Sequence, residues 1–352
     1  MTQPVFDGHN DFLLRLLGRP AKDRKLWREG DGSGQLDGPR ARAGGLAGGL
    51  FAIFVPSPGP ESQASVDALF ENPPYELPLP EALALHQAQP AALAMAGHLR
   101  GLAREVPGFR LCRDAGAIEA AMAAGEFAAV MHMEGAEAID EGLDALHVFH
   151  AMGLRSLGPV WSRPTAFGHG VPFAFPSGPD TGPGLTEAGR RLVRECNRLK
   201  IMIDLSHMNE KGFDDVAALS DAPLVATHSN AHAVTPSSRN LTDRQLAMIR
   251  DSGGMVGLNY ATSFLRPDGR RDPSLGWEVI LRHLDHLLGA LGEGHVGLGS
   301  DFDGAITPDI LRDVTRLPDL VAAMRAHGYD QPLIDRITHR NWLDLLRRTW
   351  GA

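Results

Sequence analysis

Eight short apolar runs recur along the chain, at 4–9, 49–55, 127–133, 154–161, 200–206, 223–228, 254–260 and 295–300. Each is bounded by Gly, Pro, Ser or polar residues, and runs of this length read as buried parallel strands. Amphipathic stretches separate most of them. Residues 186–199 open with Thr186 as an N-cap and set Leu192, Val193, Cys196 and Leu199 on one face. Residues 242–251 open with Thr242 and Gln245 in capping-box spacing. Residues 274–291 repeat Trp277, Ile280, Leu281, Leu284, Leu287, Leu288 and Leu291 at helical spacing, and a further helix is predicted near 331–348. Eight strands alternating with helices predict an α/β fold, a closed (β/α)8 TIM-type barrel rather than an open doubly wound sheet.

Three stretches break the alternation. Residues 18–45 are rich in Gly, Arg and Asp, residues 56–80 in Pro, and residues 162–185 in Gly and Pro around His169. Loops this long within a compact fold serve as lids or binding loops more often than as linkers. The pattern shows no internal repeat and no clean boundary, so residues 1–352 read as a single domain with long loops at the active-site end.

Five of the predicted strands end in residues that ligate metals: His9 and Asp11 in FDGHNDF, Glu134 in AVMHMEG, His207 in IMIDLSHM, His228 in LVATHSN and Asp301 in VGLGSDFDG. The carboxyl ends of barrel strands are where this architecture keeps its chemistry. His9 and Asp11 are two apart on a strand, so both point the same way. Imidazole nitrogen with carboxylate oxygen suits zinc or a similar divalent ion. One HxD alone reads as a hydrogen-bonded turn, and one His near a strand as a satisfied core residue. Their recurrence at successive strand ends favours metal.

Glu134, followed by a turn glycine, is placed to bridge two ions. His132 shares its face and would lie one layer below. Asp301 at the eighth strand is a candidate general base, preferred over Asp303, which points to the other face if the strand continues. Arg239, in the loop after the sixth strand, presents a fork that matches a substrate carboxylate. Tyr260 and the 162–185 loop are candidate pocket walls.

Composition narrows the partners. A formal charge of −9 and the lack of any Lys/Arg cluster argue against nucleic acid. No apolar run approaches the length of a membrane span. Only Cys112 and Cys196 are present, too few for a disulfide framework. The amino terminus enters a strand at once, and the expectation is a cytoplasmic protein.

The segments DGHND, DGPRARAGGLAGGLFAIFVP, MEG, NRLKIMIDLSHM, ATHSNAHAVTPSSRN and GLGSDFDG together resemble the renal (membrane) dipeptidase family of binuclear zinc enzymes, almost end to end. The resemblance implies two zinc or other divalent ions per chain. His9 and Asp11 would hold one, His207 and His228 the other, with Glu134 between them. Asp301 would shuttle the proton and Arg239 would hold the carboxylate of a dipeptide, L-Xaa-D-Xaa included. It also suggests a homodimer.

One departure concerns the loop after the fourth strand, where family members carry a substrate-contacting His. This chain places Trp161 there, with His169 eight residues on. That change motivates an alternative substrate, an N-acyl amino acid or cyclic amide, on the same metal site. A catalytically dead barrel used as a scaffold is disfavoured, because all six expected site positions are filled.

Overall fold

The structure is a computed structural model that describes residues 2–20, 24–58 and 69–351. Part of the Pro-rich stretch expected to be irregular, residues 59–68, lies outside them. Eight parallel strands form the centre: β1 (Val5–Asn10), β2 (Leu46–Phe54), β3 (Phe127–Glu134), β4 (Leu154–Gly158), β5 (Met202–Ile203), β6 (Val225–Ala226), β7 (Met255–Leu258) and β8 (Val296–Leu298). Ladders join them in the order β5-β4-β3-β2-β1-β8-β7-β6. An isolated parallel bridge between Asp204 and Val225, with Leu205 N–H donating to the Val225 carbonyl at 2.7 Å, links the two ends. The neighbours therefore follow chain order around a nearly closed barrel.

β5 and β6 are shorter than their apolar runs because a side chain takes over the ladder. The Asp204 carboxylate accepts from the backbone N–H of Ser206 at 3.0 Å and of Thr227 at 2.8 Å. A short strand, Phe109–Leu111, adds to β3 outside the barrel.

The helices form as their patterns require. Thr186 caps Glu187–Leu199 by accepting from Gly189 N–H, and Thr242 and Gln245 form a reciprocal capping box on Asp243–Asp251. The last helical stretch, Gln331–Trp350, contains a π turn at Arg336–Arg340. It carries Trp342 to the floor of the barrel, fully buried, with its indole N–H donating to the Leu298 carbonyl at 3.0 Å. Gly8 leaves room for that ring, since a Cβ there would collide with it. The interior is thus packed at the bottom and polar at the top. No helix among the described residues is long and apolar enough to cross a membrane.

Candidate metal centre

The strand ends bring their polar residues together at the carboxyl face. Glu134, the last residue of β3, stands at the middle. Its Oε1 is 3.0 Å from His207 Nε2 and 3.3 Å from His228 Nε2, while its Oε2 is 3.6 Å from His9 Nε2. Asp11 Oδ2 lies 3.4 Å from His9 Nε2. The His9 and His228 rings stack with centroids 3.8 Å apart. Asp301 joins His9 and Asp11 in a second cluster with ligand geometry. Apart from the half-buried Asp301, these side chains are buried.

Backbone strain concentrates here. Of five non-glycine residues with positive φ among the described residues, three are His207, Asp301 and Asp303. Such conformations cost of order 1–3 kcal/mol each and persist where the surroundings hold them. Gly304 lets the following turn come close, because a Cβ there would strike the Asp11 and Asp301 carboxylates.

The hydrogen-bonding partners orient the imidazoles. Ser162 Oγ lies 2.8 Å from His207 Nδ1, and Thr227 Oγ1 lies 2.8 Å from His228 Nδ1 while donating to Asp204 Oδ2 at 2.6 Å. In both rings Nε2 is left toward Glu134. His132 lies below, edge-on to His9 at 5.2 Å, with Nδ1 2.9 Å from Ser156 Oγ.

Burial heads the causes of the shifted ionisation in this set of donors. Burial pushes the Asp11 carboxyl up to about 8, against the pull of His9. Burial also raises Asp301, opposed by His9 and by a hydrogen bond from Asn259. Burial opposes both charges of the Glu134 and His9 pair, yet their mutual attraction prevails, holding Glu134 well below and His9 well above its usual range. Burial, reinforced by Arg239, pushes His207 down to about 4, and burial with His9 pushes His228 well down. Both ring nitrogens of His9 and Oδ1 of Asp11 are buried without a hydrogen-bond partner. Divalent cations would satisfy this nitrogen and oxygen set, so the residues present fit a metal.

Arg239 is buried beside the cluster. Its Nη1 donates to Ser229 Oγ at 3.2 Å and its Nη2 to the His228 carbonyl at 3.1 Å, while Nε has no partner. Burial lowers its pKa to about 10, which leaves it charged at neutral pH. Trp161 is half-buried with its ring 5.8 Å from that of His207. Behind it, the fully buried Arg163 pairs with Glu137 at 2.7 Å and donates to Ser57 Oγ and the Val55 carbonyl, both at 2.8 Å. That clamp ties the loops after β2, β3 and β4.

Two expectations shift. Tyr260 does not line the mouth: it is fully buried, its ring packs 5.5 Å from Phe302, and its neighbour Asp7 lies beneath the site. The residue that faces the cluster is Asn259, whose Nδ2 donates to Asp301 Oδ2. A one-residue step beyond β7 turns the side chain to the other side. His169 runs alongside the site through its backbone, its carbonyl 3.4 Å from Asn209 N–H, and its imidazole makes no hydrogen bond or ring contact with the cluster among the described residues. Asp303 is turned away, accepting from Gln35 N–H at 2.6 Å and pairing with Arg15 at 3.4 Å.

Sequence reasoning missed Asn259, Ser162 and Thr227. Asn259 follows an apolar run as the ligand candidates do, so the same rule finds it. Ser162 and Thr227 carry no comparable signal.

A barrel whose mouth gathers three imidazoles and three carboxylates has the layout of a metal-dependent hydrolase. The chain matches the membrane dipeptidase family, peptidase family M19, over residues 1–350, and it belongs to that family. It is similar to a metallo peptidase from Rhodobacter sphaeroides solved with a phosphinate mimic of the dipeptide L-Ala-D-Ala, at 68% identity and TM-score 0.98, covering 99% of this chain and 100% of that one. It is also similar to dipeptidase AC, a metallo peptidase of family M19, at 67% identity and TM-score 0.97, covering 100% of both chains. An uncharacterised protein in the pqqA 5′ region of Klebsiella pneumoniae is 53% identical over 242 residues, 68% of this chain and 89% of that protein. The chain is a metallo dipeptidase of family M19.

Proposed function

We propose that this enzyme hydrolyses dipeptides, L-Xaa-D-Xaa among them, with two divalent ions, zinc being the expected metal. His9 and Asp11 would hold one ion, His207 and His228 the other, with Glu134 shared between them. The observation that carries this reading is the split of Glu134, whose two oxygens face different imidazoles. When bound, the ions would supply an activated water at neutral pH and polarise the scissile carbonyl.

The chain's own residues divide the remaining work. Asp301, raised by burial and held by Asn259, accepts the proton from the attacking water and delivers it to the departing amine. Arg239, charged and with its Nε unpartnered, takes the free carboxylate of the substrate. Trp161 walls the mouth beside His207. That L-Xaa-D-Xaa dipeptides are among the substrates is supported by the L-Ala-D-Ala mimic bound by the Rhodobacter relative.

Amine release by zinc-reconstituted protein, measured on matched L-Xaa-L-Xaa, L-Xaa-D-Xaa and N-acetyl amino acid panels, tests the reading. Cleavage of free dipeptides that a chelator abolishes is expected. Silence on dipeptides with activity on the acylated compounds would overturn it in favour of an amidohydrolase on the same metal site.

A further inference from the structure

Phe173 belongs to the long loop after β4 and is half-buried, whereas the next aromatic, Phe175, is buried. Its ring meets that of His207 edge-on with centroids 6.2 Å apart, and stacks on Phe264 at 5.9 Å. Phe264 in turn lies against the Arg239 guanidinium, its centroid 5.2 Å from Cζ. Trp161 extends the same wall, T-shaped to Phe173 at 5.6 Å. One aromatic face therefore runs from a candidate metal ligand to the candidate carboxylate anchor, with Phe173 at its centre.

The backbone of Phe173 is held from two other loops. Leu77 N–H donates to its carbonyl at 2.9 Å. On its flanks, Ser238 Oγ donates to the Pro172 carbonyl at 2.5 Å and accepts from Ala174 N–H at 3.2 Å. Ser238 immediately precedes Arg239, so wall and anchor are fixed to each other.

We infer that Phe173 is a specificity-determining residue, limiting the size of the side chain on the carboxyl-terminal residue of the dipeptide. The inference rests on the dipeptidase reading above. That residue has to reach from the metal centre, where its amide is cut, to Arg239, where its carboxylate binds. The aromatic face centred on Phe173 joins the same two ends, from His207 to Arg239. Stacked rings leave no slot between Phe173 and Phe264, so a side chain has to lie on the wall, and small ones fit best. Removing the Phe173 ring opens space along that path.

The test compares kcat/KM of metal-loaded wild type, Phe173→Ala and Phe173→Leu on L-Ala-Gly, L-Ala-D-Ala, L-Ala-D-Leu and L-Ala-D-Phe. A second series, Xaa-D-Ala, varies the amino-terminal residue, and metal content and Tm are measured beside both. Phe173→Ala is expected to raise the D-Leu to D-Ala ratio by about tenfold or more, the scale of discrimination an apolar wall provides. Phe173→Leu should give a smaller rise, and the amino-terminal series should move by less than about twofold. An unmoved ratio with metal content intact, or a larger shift in the amino-terminal series, overturns the inference. If Phe173→Ala loses its metal or its fold, Phe173→Leu decides by the same ratio. A wild type that cleaves no dipeptide overturns the dipeptidase reading and this inference with it, whereas an active wild type with unmoved ratios sinks this inference alone.

Discussion

Asn259 Nδ2 donates to Asp301 Oδ2 across 3.0 Å, while Asn259 Oδ1 accepts from Ala261 N–H at 2.6 Å. The amide is thereby fixed in one orientation, and it engages one carboxylate oxygen of Asp301 while the other remains for proton transfer. Asn230 fixes Asn259 in turn through reciprocal bonds, both at 3.0 Å. Asp301→Asn should retain metal and lose 10²- to 10⁴-fold in kcat, about what a positioned base contributes. Asn259→Leu should lose roughly ten- to a hundredfold in kcat, as the loss of an orienting partner does, with KM and metal content near wild type. Steady-state kinetics beside metal analysis checks both. Near wild-type kcat in Asn259→Leu would remove the orienting role, and the same result in Asp301→Asn would remove Asp301 from the mechanism.

Ser162 and His207 are 45 residues apart in sequence and 2.8 Å apart in space. The hydroxyl accepts from Nδ1–H when Nε2 is the ligating nitrogen, so it selects the tautomer and holds the ring. Ser162→Ala should weaken binding of one ion by about ten- to a hundredfold, the usual effect of removing such a partner. Competition with a chromophoric chelator measures it. Unchanged affinity for both ions would mean that packing against Trp161 alone suffices to orient His207.

Much of the site can be read from strand ends. An apolar run signals a buried strand, and the polar residues clustered at its carboxyl end lie at the barrel mouth, which is why His9, Glu134, His207, His228 and Asp301 meet. The rule slips at β7, where the run GMVGLNYA ends ambiguously and Tyr260 competes with Asn259. There a large aromatic belongs to the core and the small amide to the site. Short elements escape because they hold too few residues to show a period: the excursion 18–45 contains helices Lys25–Glu29 and Gly38–Gly44. The long helix Leu85–Glu105 is hidden differently, with alanine making up half of its buried apolar side chains and Pro90 near its start. Contacts such as Ser162 to His207 and Phe173 to Phe264 join distant segments, and no local pattern encodes them.

Arg239 combines a buried charge, one unpartnered Nε and an aromatic face beneath it. Arg239→Ala should raise KM for dipeptides with a free carboxylate by about ten- to a hundredfold, corresponding to the loss of one charge-assisted hydrogen-bonded pair. Carboxyl-amidated dipeptides should be affected far less. Arg239→Lys should recover little, because an ammonium neither forks nor stacks on Phe264. Parallel KM measurements on free and amidated substrates decide it, and equal losses on both would refute the anchoring role.

His283 makes the fold sensitive to acid independently of the metal centre. Its Nδ1 accepts from Ala231 N–H at 3.2 Å and its Nε2 lies 3.0 Å from the Leu265 carbonyl, an arrangement that needs the neutral ring. Protonating Nδ1 would set one N–H against another in a buried site. Burial accordingly pushes its pKa down to about 4, and His286 and Arg282, on its own helix, act in the same direction. Thr235, which faces it from the loop after β6, carries no charge. Because the folded state resists a proton that the unfolded chain takes up near pH 6.5, stability should be fully present above that pH. It should then be lost progressively as pH falls toward 4, by roughly 3 kcal/mol from this group. Denaturant titrations between pH 7.5 and pH 4 measure the slope, and His283→Gln should start less stable yet decline less steeply. A variant that declines as steeply as wild type would assign the acid sensitivity to other groups.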